Sequence, residues 1–452
     1  MRRALSSAAA AAFLWFVGPL VVGSLGAGVL PAAEGERWPQ WRGPDGSGRT
    51  AATDVVSEWG PERNVNWRAE LPEAGNSTPV VWGDRVFLTQ PLSEKNQRAL
   101  LCLDRATGAE RWRRGVTYEQ PESTHKTNPY ASASPATDGE RVVAWFGSAG
   151  LLCWDMEGNE LWRRDLGEQR HMWGYGSSPI LHGDLCILNF GPGDREFLLA
   201  VDKTTGETVW QVDALDDEAE RALSGPENDG NSRDFEADGP RRDRLRGSWS
   251  TPIVITVDGR EELVVTLPRR VSAFDPATGE RLWTCGGFGP LAYASPMASD
   301  DGIVVALGGY GGACLAVRAG GSGDVTETRR LWHQPRGAGY LGTGAVVDGA
   351  VYVCDMGGVL RCLDVQTGEE LWKARVAGGG TWSSVTQTAD GRMFLLTKSG
   401  TTAVFRANRE EYEPIAANDL DESTNASVVA AGDDLFVRTD DALWSVGAPA
   451  GN

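Results

Sequence analysis

Residues 362–372 read "CLDVQTGEELW", and nearly the same phrase occurs elsewhere in the chain. "CLDRATGAERW" ends at Trp112, "AVDKTTGETVW" at Trp210 and "AFDPATGERLW" at Trp283, while "CWDMEGNELW", ending at Trp162, is a shortened copy. Repetition every 40 to 50 residues or so marks a propeller or a solenoid. Within one copy, "VLRCLD" is β-prone, "VQTG" has turn chemistry and "EELWKARV" returns as a strand. Asp364 can accept hydrogen bonds from the turn amides, and Gly368 can take the positive φ that closes a short hairpin. Trp372 then lies on the outgoing strand, placed to pack between neighbouring sheets.

A second phrase precedes each hairpin: small and polar, then apolar, then turn-like, then β-prone. It runs from "NSTPVVWGDRVFLT" through "SASPATDGERVVAWF", "GSSPILHGDLCILNF", "WSTPIVITVDGREELVVTL" and "YASPMASDDGIVVAL". "LGTGAVVDGAVYVCD", "WSSVTQTADGRMFLLT" and "NASVVAAGDDLFVRT" follow as weaker copies. Each adds two strands, so a repeat is a four-stranded antiparallel blade, and the eight copies predict an all-β, eight-bladed propeller. The last copy stops at "ALWSV" without a fourth strand, while "NVNWRAEL" precedes the first copy as an orphan. Residues near 64–71 are therefore expected to supply the outer strand of the last blade, which removes exposed sheet edges. The fourth-strand tryptophans are then Trp67, Trp112, Trp162, Trp210, Trp283, Trp332 and Trp372, with Tyr412 standing in for the seventh blade.

The propeller is expected over residues 64–447, interrupted by a charged insertion at 213–247 that reads as a solvated surface loop rather than a lid. Residues 34–63 read as an N-terminal extension, with "WPQWRGPDGSG" as an outer tail, and 448–452 as a C-terminal tail. Residues 1–33 place two arginines before a long apolar run and small residues near Ala33. This is an export signal, either cleaved or kept as an N-terminal anchor, so the protein is placed in the periplasm or cell envelope. Membrane contact is expected only if that segment is uncleaved. A net charge of −19 disfavours a nucleic-acid partner. The seven cysteines include no CxxC or vicinal pair. Cys102, Cys153 and Cys362 share one repeat position, which points to strand packing.

In a propeller, the loops from the outer strand of one blade to the inner strand of the next gather on one face, where binding residues are expected. These loops offer His125, Asn128 and Tyr130, then Arg170, His171, Trp173 and Tyr175. Trp249, Tyr293, Tyr340, Trp382 and Asn425 follow in later loops. Such aromatics either plug the central channel or line a polar-aromatic pocket for a small ligand or an extended peptide. The two histidines lack HxH spacing, so no metal site is expected. No GxSxG, Walker loop or HExxH occurs, and no catalytic residue is assigned.

The patterns "LxCLDxxTGExLW" and "SSPVVxGDxVF" resemble the pyrroloquinoline-quinone (PQQ)-type propeller repeat. That repeat is shared by quinoprotein alcohol dehydrogenases and by the outer-membrane assembly lipoprotein BamB. "WPQWRGPDGSG" is similar to the start of exported PQQ-like propellers of planctomycete-type bacteria. The resemblance spans nearly all of the chain after the export signal, and it speaks for fold more than for function. The dehydrogenase branch implies PQQ and calcium held by a vicinal disulfide, acidic and Asn ligands and a catalytic Asp. The vicinal pair is absent here, and the ligands have no residue-by-residue match. The BamB-like branch implies a monomeric, non-catalytic scaffold for an envelope protein, although the lipobox Cys is missing. The expected role is therefore a binding or scaffold propeller without cofactor, with a PQQ-dependent alcohol or sugar oxidoreductase as the alternative.

Overall fold

A computed structural model describes residues 34–193, 195–214 and 246–448. Residues 1–33, where the export signal is expected, most of the 213–247 insertion and the last four residues lie outside the described residues. Eight antiparallel sheets of at least four strands form the ring of an eight-bladed β-propeller. Seven blades are continuous in sequence, spanning 80–117, 136–164, 180–213, 253–286, 297–334, 345–375 and 386–419. The eighth joins Val429–Ala431, Asp434–Arg438 and Ala442–Val446 to the N-terminal strand Val65–Glu70, which pairs antiparallel with Ala442–Val446. The ring thus closes as the orphan strand predicts, with first and last parts of the chain in one hydrogen-bonded sheet. No helix of the described residues is long and apolar enough to cross a membrane.

The recurring phrase works as an interlock between blades. In the copy around Asp364, the carboxylate accepts the backbone N–H groups of Gln366 and Thr367 at 2.9 and 3.0 Å. Gly368 adopts φ +72°, and a Cβ there would lie 2.6 Å from the Trp332 ring of the preceding blade. Trp332 also donates its indole N–H to Val365 O at 2.9 Å. The same contact recurs from Trp67 to Arg105 O, Trp112 to Met156 O, Trp162 to Lys203 O, Trp210 to Pro276 O and Trp372 to Asn408 O, all at 2.8–3.0 Å. At Gly108, Gly158, Gly206, Gly279 and Gly368 glycine is needed twice over, for its positive φ and for the face of the indole, whereas the turn at Asn408 receives Trp372 without one. Trp283 departs: its N–H goes to Glu262 Oε2 at 2.7 Å instead. The space is filled by a short strand, Gly323–Asp324, that adds parallel to Arg281–Gly286. All seven cysteines are buried free thiols, most of them in the apolar layers between or within blades.

A second ring lies nearer the axis. Just before or at the start of each inner strand stands one Ser or Thr, whose hydroxyl oxygen accepts a backbone N–H from the blade before. Thr78 N–H donates to Ser134 Oγ, Ser134 N–H to Ser178 Oγ, Ser178 N–H to Thr251 Oγ1 and Thr251 N–H to Ser295 Oγ. Ser295 continues to Thr343, Thr343 to Ser384, Ser384 to Ser427, and Ser427 back to Thr78. All eight bonds are 2.9–3.3 Å, so the small polar position opening each repeat phrase closes a continuous circle.

The N-terminal extension corrects the sequence expectation. "WPQWRGPDGSG" is not an outer tail: it lies across the inner strands. Trp38 exchanges two backbone hydrogen bonds with Val81 of the first blade, and Pro39 O accepts from Thr137 N–H of the second. Gln40 accepts from Leu181 of the third, and a Cβ on Gly46 would lie 2.9 Å from Ile253 of the fourth. Trp41 donates to Ser295 Oγ of the fifth blade at 3.3 Å. Gly48 and Thr50 pair with Gln387 of the seventh, and Ala52 and Val55 pack with Val428 and Ala430 of the eighth. Arg42 anchors this strap while 2% exposed. Its Nε donates to Gly46 O and its Nη1 to Thr343 O and Val385 O, while Nη2 donates to Ser47 O and Gly344 O. Five N–H donors thus meet five carbonyls and no carboxylate. Burial pulls its pKa down to about 9, which still leaves it charged at neutral pH. Sequence reading missed the strap because a Gly/Pro-rich run without strand periodicity looks like a tail.

Candidate functional site

The strap closes one end of the central channel and turns the other into a cavity of about 500 Å³. Trp41 contributes to its wall from below, beside the ring residues Ser178, Thr251, Ser295, Thr343 and Ser384. Six of the eleven candidate residues meet there: His125, Asn128, Trp173, Trp249, Tyr293 and Trp382. Asn425 joins them. They come from the outer-to-inner loops of successive blades, which explains their convergence from distant positions in the chain.

Four rings form a continuous wall. Trp173 lies 6.0 Å from Trp249 between centroids, and Trp249 stacks on Tyr293 at 4.9 Å and 11°. Tyr310 meets Tyr293 edge-on at 5.5 Å. Trp249 is held by its indole N–H on Gly174 O at 3.0 Å. Across the site, Lys398 places its Nζ 3.8 Å from the centroid of Trp382, and partial burial lowers the pKa of this ammonium. Burial likewise pushes the Tyr293 hydroxyl well above the usual tyrosine range, so it is a neutral O–H.

The remaining candidates support the wall without reaching the cavity. His171 is buried behind Trp249, its ring edge-on at 4.9 Å, and its Nδ1 accepts the Trp173 N–H at 3.2 Å. Tyr175 is a core residue against Trp145 at 4.8 Å, because its loop turns inward behind the second blade. Tyr340 is buried in the layer that contains Met297 and Cys314. Tyr130 lies over the Arg98 guanidinium at 4.2 Å. Arg170 is exposed and ion-paired with Glu168. A buried pair, Arg98 and Glu122 with 4% and 1% of their side chains exposed, pins the loop that carries His125 and Asn128. Glu122 also accepts the Ser148 N–H at 2.8 Å.

Tyr310, Trp41, Asn76, Leu341 and the ring hydroxyls were not legible as site residues. Tyr310 stands in "GGYGGA", a loop between the second and third strands of its blade. Those loops open on the same face as the outer-to-inner ones, and this was the signal available.

Among the described residues, the wall contains no Asp, Glu, Lys or Arg. Among the described residues, no group of three His, Cys, Asp or Glu side chains is placed to hold a metal ion. Calcium takes six to eight oxygens, carboxylates prominent among them. The neutral amides of Asn76, Asn128 and Asn425 are a poor donor set for it. The residues present therefore do not fit a calcium–PQQ centre.

The family model of the outer membrane protein assembly factor BamB matches residues 50–191, 96–234 and 194–449. The chain belongs to this PQQ-like propeller family. Quinohemoprotein alcohol dehydrogenase from Comamonas testosteroni is similar in structure, with TM-score 0.66, 13% identity, and coverage of 93% of this chain and 82% of that one. BamB from Moraxella catarrhalis has TM-score 0.52 and 14% identity over 87% of this chain and 99% of its own. The computationally designed Ika8 protein matches with TM-score 0.52 and 14% identity over 84% and 100%. At such identities these likenesses show the propeller fold alone. No curated protein matches in sequence.

Proposed function

We propose that this PQQ-like propeller is a non-catalytic binding protein of the cell envelope that holds its ligand or protein partner on the loop-rich face. The observation that carries this reading is the cavity of about 500 Å³, walled by aromatic and neutral polar side chains with no acidic residue among the described lining residues. Pockets of this size and character bind small ligands. A calcium-dependent dehydrogenase would need a metal-ligand set at the same place, and the neutral amides there are a poor one. The assembly-factor name of the matching family supports a partner-binding role in general. The export segment at 1–33 supports the envelope.

The test is to mix the full chain with PQQ and calcium, desalt it, and record the quinone absorbance and dye reduction with alcohols and sugars. The proposal expects neither retained quinone nor turnover. Retention with turnover would replace it by the oxidoreductase reading. A pull-down from envelope extract, with Trp382→Ala as control, would show whether a protein occupies the same face.

A further inference from the structure

We infer that the cavity is a site for a neutral carbohydrate, the end of an oligosaccharide seated on the hydroxyl ring with its apolar face against the aromatic wall. This rests on the binding reading above and assigns its ligand class.

The first support is an account of protons. Ser178, Thr251, Ser295, Thr343 and Ser384 all line the cavity, and each hydroxyl oxygen already accepts a backbone N–H from the preceding blade. None of the five donates its own proton to an acceptor within the described protein. Tyr293 lends only its ring to the wall, since its Oη is buried, without a partner among the described residues, and does not face the cavity. The lower part of the site is therefore a cluster of O–H donors awaiting acceptor oxygens, and a buried hydroxyl without an acceptor costs about 1–3 kcal/mol.

The second support is the complementary set of acceptors. Asn76 spends its amide N–H groups on Thr127 O and Ser132 Oγ. Asn128 spends its own on Trp173 O and Tyr175 O. Both keep their side-chain carbonyl oxygens as acceptors. Asn425 makes no side-chain hydrogen bond within the described protein and offers donor and acceptor together. Donors and acceptors interleaved around one cavity match a polyol, whose every hydroxyl gives one hydrogen bond and takes others. A carboxylate or phosphate could use only the donors.

Shape and charge narrow the class further. The apolar C–H face of a pyranose suits a continuous apolar ring wall. A quaternary ammonium would need a gap between ring faces. Here Trp173, Trp249, Tyr293 and Tyr310 are packed on one another at 4.9–6.5 Å, and Lys398 already covers one face of Trp382. Among the described lining residues there is no Lys or Arg to receive an anionic sugar.

The full chain is to be applied to an array of neutral, uronate-bearing and sialate-bearing oligosaccharides, and a retained neutral glycan carried into calorimetric titration. The expected result is retention of neutral glycans, with uronate counterparts weaker. Asn425→Ala should weaken binding about tenfold, the equivalent of one lost hydrogen bond. It should leave the melting temperature unchanged, because this side chain makes no hydrogen bond within the described protein. Failure to retain any neutral glycan, or preference for the acidic ones, overturns the carbohydrate assignment. If a fragment library then raises the melting temperature in a way that Asn425→Ala abolishes, the cavity is still a binding site. If instead PQQ is retained with calcium, the binding reading falls as well.

Discussion

Arg42→Lys is the sharpest test of the strap. The guanidinium uses five N–H donors on five backbone carbonyls, and three of those, Thr343 O, Gly344 O and Val385 O, belong to the ring rather than the strap. An ammonium has three donors, so at least two carbonyls lose their partner. A hydrogen bond to a charged group is worth about 1.5–3 kcal/mol, which puts the substitution at about 3–6 kcal/mol. Water cannot easily make up the loss, because Arg42 is 2% exposed. For a chain of this size the fall in Tm should be about 1 °C per kcal/mol, hence about 3–6 °C. Calorimetry of the full chain reads it directly. The control is Arg49→Lys, whose partner Asp300 is largely exposed at 2.7 Å, and which should cost no more than about 1 kcal/mol. If Arg42→Lys melts within about 1 °C of the parent, the guanidinium is not what holds the strap.

Deleting residues through Ser57 keeps the closing strand Val65–Glu70 but removes Trp38, Arg42 and Val55, so soluble yield and Tm should both fall. Deletion through Leu71 should go further and aggregate, because the eighth blade then exposes an edge. Trp372 lies between Tyr352 and Tyr412 and donates to Asn408 O, so Trp372→Ala should cost about 3–5 kcal/mol; Trp382→Ala should melt nearer the parent and lose binding, as paired thermal and binding measurements would show. Ellman's reagent should find no reactive thiol in the native protein and all seven after guanidinium, since burial pushes thiols such as Cys102 and Cys153 up to about 12. The turn carboxylate Asp104, hydrogen-bonded by Arg111 and Thr107, has its pKa lowered to about 2. A folded-state value below the unfolded one means its contribution is complete above about pH 4 and lost as pH falls toward 2. Asp104→Asn should therefore flatten the acid limb of Tm against pH.

The propeller was legible because its signals are local and repeated. The Asp-x-x-Thr-Gly turn and the tryptophan four residues after its glycine both sit in one short phrase, and their contacts recur blade by blade. Even the closure was readable, since an orphan strand with Trp67 and a last blade lacking one strand require each other. The strap was not. Arg42 satisfies its five donors with carbonyls up to 343 residues away, and backbone acceptors leave no mark on sequence. The site was half legible for the same reason. Trp173, Trp249, Tyr293 and Trp382 follow from which loops share a face. Whether an aromatic in such a loop turns inward, as Tyr175 and Tyr340 do, depends on the space behind it, which only packing decides.

Repetition and function pull against each other in this fold. Eight equivalent blades generate a channel with an eightfold circle of hydroxyls, and such a circle alone has no preferred side. Two departures from the repeat give it one. The outer-to-inner loops of the second to fourth blades carry Trp173, Trp249 and Tyr293, with Tyr310 beside them from the fifth, which puts the ring wall on one flank of the axis. The strap, contributed once per chain, blocks the opposite mouth and lays Trp41 against Ser295. The interlock of Trp and Gly keeps the scaffold rigid enough for these few asymmetric residues to hold their places, as a preorganised site requires. A channel becomes a pocket because one short segment of Gly, Pro, Trp and Arg breaks the symmetry that the rest of the sequence builds.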